Sequence, residues 1–132
     1  MTSTQSELDA RRQVCATYVA SLGRRDYTGM ASCIADGAQF RAMTPESVQE
    51  AAGPGETIAV LREWFGDADV FELQSSTVDT VSDRMRVSYT VRLREGGEWY
   101  VFQQQVFCEV GGGKIQGMSL LCSGFRPAEP PA

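Results

Sequence analysis

The stretch from Arg84 to Arg94 alternates strictly between apolar and polar residues. Its apolar members are Met85, Val87, Tyr89, Val91 and Leu93. A two-residue period is typical of a strand with one buried and one exposed face. Gly96-Gly97 predicts a hairpin turn after this strand, and Gly111–Gly113 predicts a second turn between further strands over 99–110 and 115–125. The C-terminal half is therefore expected to form an antiparallel meander.

Three consecutive glutamines, Gln103–Gln105, lie in the middle strand of this meander between apolar pairs. Because neighbouring residues of a strand point to opposite faces, at least one of these amides lies on the covered face in either register. A buried amide without a partner costs about 1–3 kcal/mol, so it needs protein, water or a ligand as its partner. The pattern thus indicates a polar group inside an apolar interior.

Length and charge limit the classes of protein to consider. A chain of 132 residues is expected to form one domain with its own core, over 1–126, followed by a disordered proline-rich tail over 127–132. The net charge is −5 and the arginines are scattered, so no nucleic-acid or membrane partner is expected. Neither a signal-peptide pattern nor a run of eighteen apolar residues is present, which favours a cytoplasmic protein.

The chain contains no histidine, which excludes Ser-His and Cys-His catalytic pairs and histidine metal sites. Its four cysteines stand singly within predicted elements and are interpreted as small buried hydrophobic residues in a reducing compartment. No metal, nucleotide or flavin cofactor is implied. Proton transfer would have to use Asp, Glu, Tyr, Cys, Arg or the single lysine, Lys114.

Apolar residues at helical spacing predict three main helices. The first ends near Gly23, the second begins after the capping residue Asp26 and ends at Gly37, and the third covers Gly55–Gly66.

The segment between the second and third helices is expected to contain an edge strand over Ala38–Met43. Thr44-Pro45 then predicts the start of a short helix or turn, on which Glu46 and Glu50 stand one turn apart. The expected fold class is α+β, with three main helices packed on a curved, mostly antiparallel sheet. Both faces of the last two strands are partly apolar, which predicts a homodimer formed through the sheet.

Several segments resemble the nuclear transport factor 2-like superfamily, and within it ketosteroid isomerase and the SnoaL-like polyketide cyclases. The resemblance extends from about Leu8 to Phe125. The segments that carry it are Tyr18–Leu22, Asp26, Cys33–Phe40, Leu61–Phe65 and Gly113–Ile115. The resemblance implies a cone-shaped fold in which helices and sheet enclose an apolar pocket. Because this fold hosts isomerases, cyclases, epoxide hydrolases and non-catalytic binders, it does not select one reaction.

The resemblance also implies site residues. Tyr18 matches a hydrogen-bond donor to a developing oxyanion, and Gln105 falls at or next to the position of the second donor. The position of the family's catalytic base is occupied by Ala42, which cannot accept a proton. The candidate replacement bases are Glu46, Glu50, Asp36 and Glu109.

The pocket lining is expected to come from apolar and aromatic residues of the strands and the third helix. These residues are Phe40, Ala42, Phe65, Tyr89, Phe107, Met118, Leu120 and Cys122. The leading hypothesis is a cofactor-independent acid/base enzyme that isomerises, cyclises or opens an apolar oxygenated substrate such as a polyketide intermediate. The alternatives are non-catalytic binding of an apolar small molecule and a protein-interaction adaptor.

Overall fold

The computed structural model describes residues 5–131, which form three helices and seven strands. The helices are α1 (Gln5–Gly23), α2 (Tyr27–Ser32) and α3 (Gly53–Phe65). The strands are β1 (Ile34–Met43), β2 (Val48–Ala52), β3 (Val70–Val81), β4 (Arg84–Glu95), β5 (Glu98–Gly111), β6 (Lys114–Cys122) and β7 (Arg126–Pro127). The predicted α+β class, with three helices on a curved and mostly antiparallel sheet, is confirmed.

The strands form one sheet in the order β2-β1-β6-β5-β4-β3, and β7 pairs with β5. Strands β4 to β6 are the predicted meander, β3 extends it by pairing with β4, and each of these strands pairs antiparallel with the next. Strand β1 enters beside β6 in parallel, with Phe40 opposite Met118. The predicted edge strand, β1, therefore lies inside the sheet between β2 and β6, and β2 forms the edge.

The helices cover one face of this sheet, which we call the inner face. Its buried residues alternate along β4 as the sequence predicts, and they continue along β5 at Phe102, Gln104, Val106 and Cys108. Helix α1 contributes Tyr18 to the same cluster of buried side chains. The space between helices and sheet is thus occupied by a continuous core.

Of the short helix or turn predicted after Pro45, the structure has the turn. Residues 44–47 form a single turn in which the Ser47 amide donates to Thr44 Oγ1 at 3.1 Å and the Thr44 amide donates to the Ser47 carbonyl at 2.9 Å. The chain then pairs as β2 with β1, so Glu50 lies on a strand. A Thr-Pro pair can begin a turn as well as a helix, and here the strand pairing decides.

The boundary between α2 and β1 also differs from the prediction. Helix α2 ends at Ser32, not at Gly37, and β1 begins at Ile34. The cause is the parallel pairing with β6, which starts at Ile34 opposite Ile115 and is preceded by a bond from the Ile115 amide to the Cys33 carbonyl. This pairing draws the segment into the sheet before the helical pattern ends.

Part of the tail predicted as disordered is held against β5. Arg126 and Pro127 pair with Val101 and Tyr100, and the Ala128 amide donates to the Trp99 carbonyl at 3.0 Å. The final residue of the predicted tail, position 132, lies outside the described residues. Within 5–131, no helix has the length and apolar character needed to cross a membrane.

Candidate functional site

The buried amide expected from the glutamine run belongs to Gln104, whose side chain is 1% exposed. Its Oε1 accepts from the Tyr89 hydroxyl at 2.5 Å, and its Nε2 donates to Cys122 Sγ at 3.2 Å. Gln105, the residue assigned to a donor role, lies instead on the exposed outer face between Ser88 and Leu121. The interior of the fold therefore contains a connected polar group made of Tyr89, Gln104 and Cys122.

Tyr18 is fully buried, and its hydroxyl has no hydrogen-bond partner within the described residues. Burial, with smaller contributions from Cys108 and Cys33, raises the pKa of Tyr18 well above its usual value of 10.0. The phenol is therefore neutral at physiological pH. It is a donor without an acceptor, which is an unfavourable arrangement in a dry core.

All four cysteines are free and buried. A hydrogen bond with Cys15, followed in effect by burial, raises the pKa of Cys108. Burial also raises the pKa of Cys33, whose thiol donates to the Gly29 carbonyl at 3.5 Å. These two thiols behave as the packed hydrophobic groups that the sequence predicts.

A pocket of about 490 Å³ opens at one end of the sheet, where β1 and β6 finish. We call it the end pocket. Its lining residues are Thr44, Pro45, Glu46, Trp64, Cys122, Ser123, Gly124, Phe125 and Arg126. Phe125 connects the pocket to the core, because its ring stacks 5.0 Å from that of Phe102, which in turn stacks 5.3 Å from that of buried Phe65. The end pocket therefore combines aromatic walls with charged and hydroxyl groups.

The segment after β6 shapes this pocket. Ser123 fixes it to β5, because the Ser123 amide donates to the Gln103 carbonyl and Ser123 Oγ accepts from the Gln103 amide, both at 2.9 Å. Gly124 has φ of +82°, and a Cβ at this position would lie 2.9 Å from Pro45 Cγ. Only glycine allows the two loops to approach this closely. The Gly124 amide also donates to Cys122 Sγ at 3.3 Å.

The four candidate bases lie in different places. Glu46 lines the end pocket. Glu50 is exposed on β2 and Asp36 is exposed on β1, and neither is part of the pocket lining. Glu109 lies on the outer face with Gln105 and forms an ion pair with Arg84 at 3.3 Å. Only Glu46 therefore has a position from which it could act in the end pocket.

Most of the residues expected to line a pocket are part of the packed core. These are Phe40, Ala42, Phe65, Tyr89, Met118 and Leu120, all buried. Phe107 lies on the outer face of the sheet, and Cys122 alone of the eight lines the end pocket. Tyr18 is not among the lining residues either. Sequence reasoning missed Trp64, Phe125 and Arg126, although strand ends followed by loops are common positions for binding residues.

The arrangement of helices on the inner face of a curved sheet, with a pocket at the open end, defines an α+β cone. This is the fold of the nuclear transport factor 2-like superfamily. A nuclear transport factor 2-like protein from Burkholderia thailandensis has a TM-score of 0.71 and 17% identity, covering 86% of this chain and 90% of the other.

Two further solved structures share the fold. An LEH-like epoxide hydrolase from M. tuberculosis has a TM-score of 0.67 and 16% identity, over 87% of this chain and 84% of its own. A protein provisionally named a ketosteroid isomerase, from Kribbella flavida, has a TM-score of 0.63 and 20% identity, over 94% and 84%. No family model and no curated protein matches the sequence.

Proposed function

We propose that the protein binds an apolar, oxygen-containing small molecule in the end pocket and acts on it by acid/base chemistry, with Glu46 moving the proton. The observation that carries the proposal is the position of Glu46. It is the one candidate carboxylate that lines a pocket large enough for a small molecule. Isomerisation, cyclisation and ring opening of such a substrate all need one group that accepts and returns a proton.

The walls of the pocket suit this class of substrate. Trp64 and Phe125 offer ring faces to an apolar body, while the Arg126 guanidinium offers donors to a carbonyl, hydroxyl or epoxide oxygen. Arg126 and Glu46 also place opposite charges at one site. A cation beside the substrate oxygen stabilises the negative charge that develops there when a neighbouring proton is removed.

The proposal is tested by comparing two carboxylates that are four residues apart. A panel of small ketones, epoxides and linear diketones is first screened for stabilisation against heat, because a ligand at one hundred times its Kd adds about 2.7 kcal/mol to the free energy of unfolding. Product formation is then followed by mass spectrometry. Glu46→Gln is expected to bind the ligand but to lower turnover about 100-fold or more, while Glu50→Gln is expected to turn over normally.

Non-catalytic binding is the second candidate function. It is favoured by the fully buried Ala42 at the position of the family's base and by the outward position of Gln105. It predicts that a compound from the same panel stabilises the protein while no product appears and while Glu46→Gln leaves the stabilisation unchanged. That result would contradict the enzymatic proposal and leave the end pocket as a binding site.

We also propose that two copies of the protein form the homodimer expected from the sequence, through the outer face of the sheet. The outer face of the sheet carries Leu121, which is 56% exposed, together with half-buried Phe107. Hydroxyl and amide side chains, including Ser88 and Gln105, lie between apolar residues. Because these groups both donate and accept hydrogen bonds, a second copy of the same surface can pair with them around a two-fold axis.

A further inference from the structure

Cys122 differs from the other cysteines in its surroundings. It lies at the end of β6, is 7% exposed and lines the end pocket. Its Sγ accepts two hydrogen bonds, from Gln104 Nε2 at 3.2 Å and from the Gly124 amide at 3.3 Å. The Tyr89 hydroxyl donates to Gln104 Oε1, and this hydrogen bond orients the amide so that its Nε2 points at Cys122 Sγ.

A packed cysteine needs no such donors. Cys33 has nearly the same exposure, 6%, but its thiol donates to a helical carbonyl. Its sulfur accepts no hydrogen bond from an amide within residues 5–131. Two N–H groups directed at one sulfur instead stabilise negative charge that develops there, as it does when a thiol attacks an electrophile. Cys33 therefore serves as the internal control for Cys122.

We infer that Cys122 is a nucleophile of the end pocket and that the ligands of this pocket include conjugated carbonyl compounds. The inference rests on the proposed function, because it uses the same pocket. A sulfur is a soft nucleophile that reacts well with the β-carbon of an enone. The aromatic side chains of Trp64 and Phe125 suit a flat conjugated molecule, and the Arg126 guanidinium suits its carbonyl oxygen.

The step is a reversible addition. The sulfur electron pair forms a C–S bond to the β-carbon, and the π electrons of the C=C bond move to the carbonyl oxygen to give an enolate. The thiol proton, taken up by the Glu46 carboxylate, is delivered to the α-carbon. The adduct contains every atom of the protein and the ligand, and no oxidant, reductant or further reactant is needed.

The test maps the adduct on the folded protein. Wild-type protein is incubated with 2-cyclohexen-1-one and, separately, with N-ethylmaleimide, and the modified residue is identified by intact-mass and peptide mass spectrometry. One adduct is expected, on Cys122, and it is expected to be absent in Cys122→Ser and present in Cys33→Ser. An adduct on Cys33 instead, or labelling of all four cysteines only after unfolding in urea, would overturn the inference.

Gln104→Met tests the part played by the amide donor. The change removes one N–H from the sulfur while keeping an unbranched side chain of similar length, and the rate of adduct formation on Cys122 is expected to fall about tenfold. An unchanged rate in folded Gln104→Met would show that the amide does not activate the sulfur. Where this variant does not fold, the comparison of Cys122→Ser with Cys33→Ser decides.

Failure of this inference can be distinguished from failure of the proposed function, because adduct formation needs no turnover. If the Cys122 adduct forms but no saturated ketone or diketone of the panel stabilises the protein, the inference stands and the proposed function fails. If those compounds stabilise the protein but no Cys122 adduct forms, the inference fails and the end pocket remains a binding site.

Discussion

The same substitution, tyrosine to phenylalanine, is expected to have opposite effects at two buried positions. Tyr18 and Tyr89 are both nearly inaccessible to solvent, at 0% and 3%. The Tyr18 hydroxyl has no partner, whereas the Tyr89 hydroxyl donates to Gln104 Oε1 at 2.5 Å. The two sites therefore separate the effect of burying a hydroxyl from the effect of the hydrogen bond that it makes.

The magnitudes follow from these contacts. Burying an unpaired hydroxyl costs about 1–3 kcal/mol, so Tyr18→Phe is expected to raise the free energy of unfolding by about that amount. Tyr89→Phe removes a hydrogen bond and leaves the buried oxygen of Gln104 unpaired, so it is expected to lower the free energy of unfolding by about 1–3 kcal/mol. For a chain of this length, each kcal/mol changes the Tm by about 4 °C.

The measurement is urea unfolding of the two variants beside the wild-type protein, followed by tryptophan fluorescence, with the m-value checked for two-state behaviour. The expected result is a midpoint above the wild type for Tyr18→Phe and below it for Tyr89→Phe. Two losses of similar size would refute the reasoning, because they would mean that the Tyr18 hydroxyl has a partner in solution that contributes as much as Gln104 does.

Three further predictions concern pH, a loop and assembly. Burial raises the pKa of both Tyr18 and Tyr89 above 10.0 in the folded state only, so the unfolded state binds fewer protons above pH 10. Each of the two tyrosines should therefore lower the free energy of unfolding there by about 1.4 kcal/mol per pH unit. Tyr18→Phe should remove one of these two contributions in urea titrations at pH 9 to 11, and an unchanged slope would contradict the raised pKa of Tyr18. Gly124→Ala and Gly96→Ala both place a side chain at positive φ, but only the Cβ at position 124 meets a neighbour, Pro45 at 2.9 Å. In urea unfolding, Gly124→Ala should therefore lower the free energy of unfolding by about 1 kcal/mol more than Gly96→Ala does. Equal losses would contradict the contact. Light scattering at micromolar concentration should give a dimer for the wild type and a monomer for Leu121→Lys, and a strictly monomeric wild type would end the dimer proposal.

The meander was predictable because its signals are local. Alternation along β4 sets which residues face the core, and the glycine pairs that follow β4 and β5 adopt the positive φ angles of tight turns. Neither signal depends on what the rest of the chain does. The same is true of the buried faces of α1 and α3, where the positions of Tyr18 and Phe65 follow from helical spacing.

The identity of the inward glutamine was missed although its signal is local. Strand β5 alternates without interruption, so Gln104 shares the buried face with Phe102 and Val106. The register shift between β5 and β6 places its extra residue on β6, at Gln116, and leaves the alternation of β5 intact. A count back from the glycine turn by family resemblance does not use this shared parity, and it gave Gln105 instead.

The end pocket was the least predictable part of the structure. Glu46, Trp64, Ser123 and Arg126 come from separate segments of the chain and follow no common period. They meet because β1 and β6 end at the same side of the sheet, and the pairing of these two strands is not apparent from local patterns. Similarity to the superfamily predicts a pocket inside the cone, but side chains such as Phe102 and Phe40 occupy that interior.

The parallel pairing of β1 with β6 has a consequence for how the molecule is made. The two strands are separated by more than seventy positions of the chain, since Phe40 lies opposite Met118. A contact so distant along the chain forms slowly, because a large loop must close before it gains any energy. During synthesis, β1 and β2 leave the ribosome well before β6, the strand with which β1 pairs. In refolding, pulsed hydrogen exchange should find the β1 amides protected later than those of β4.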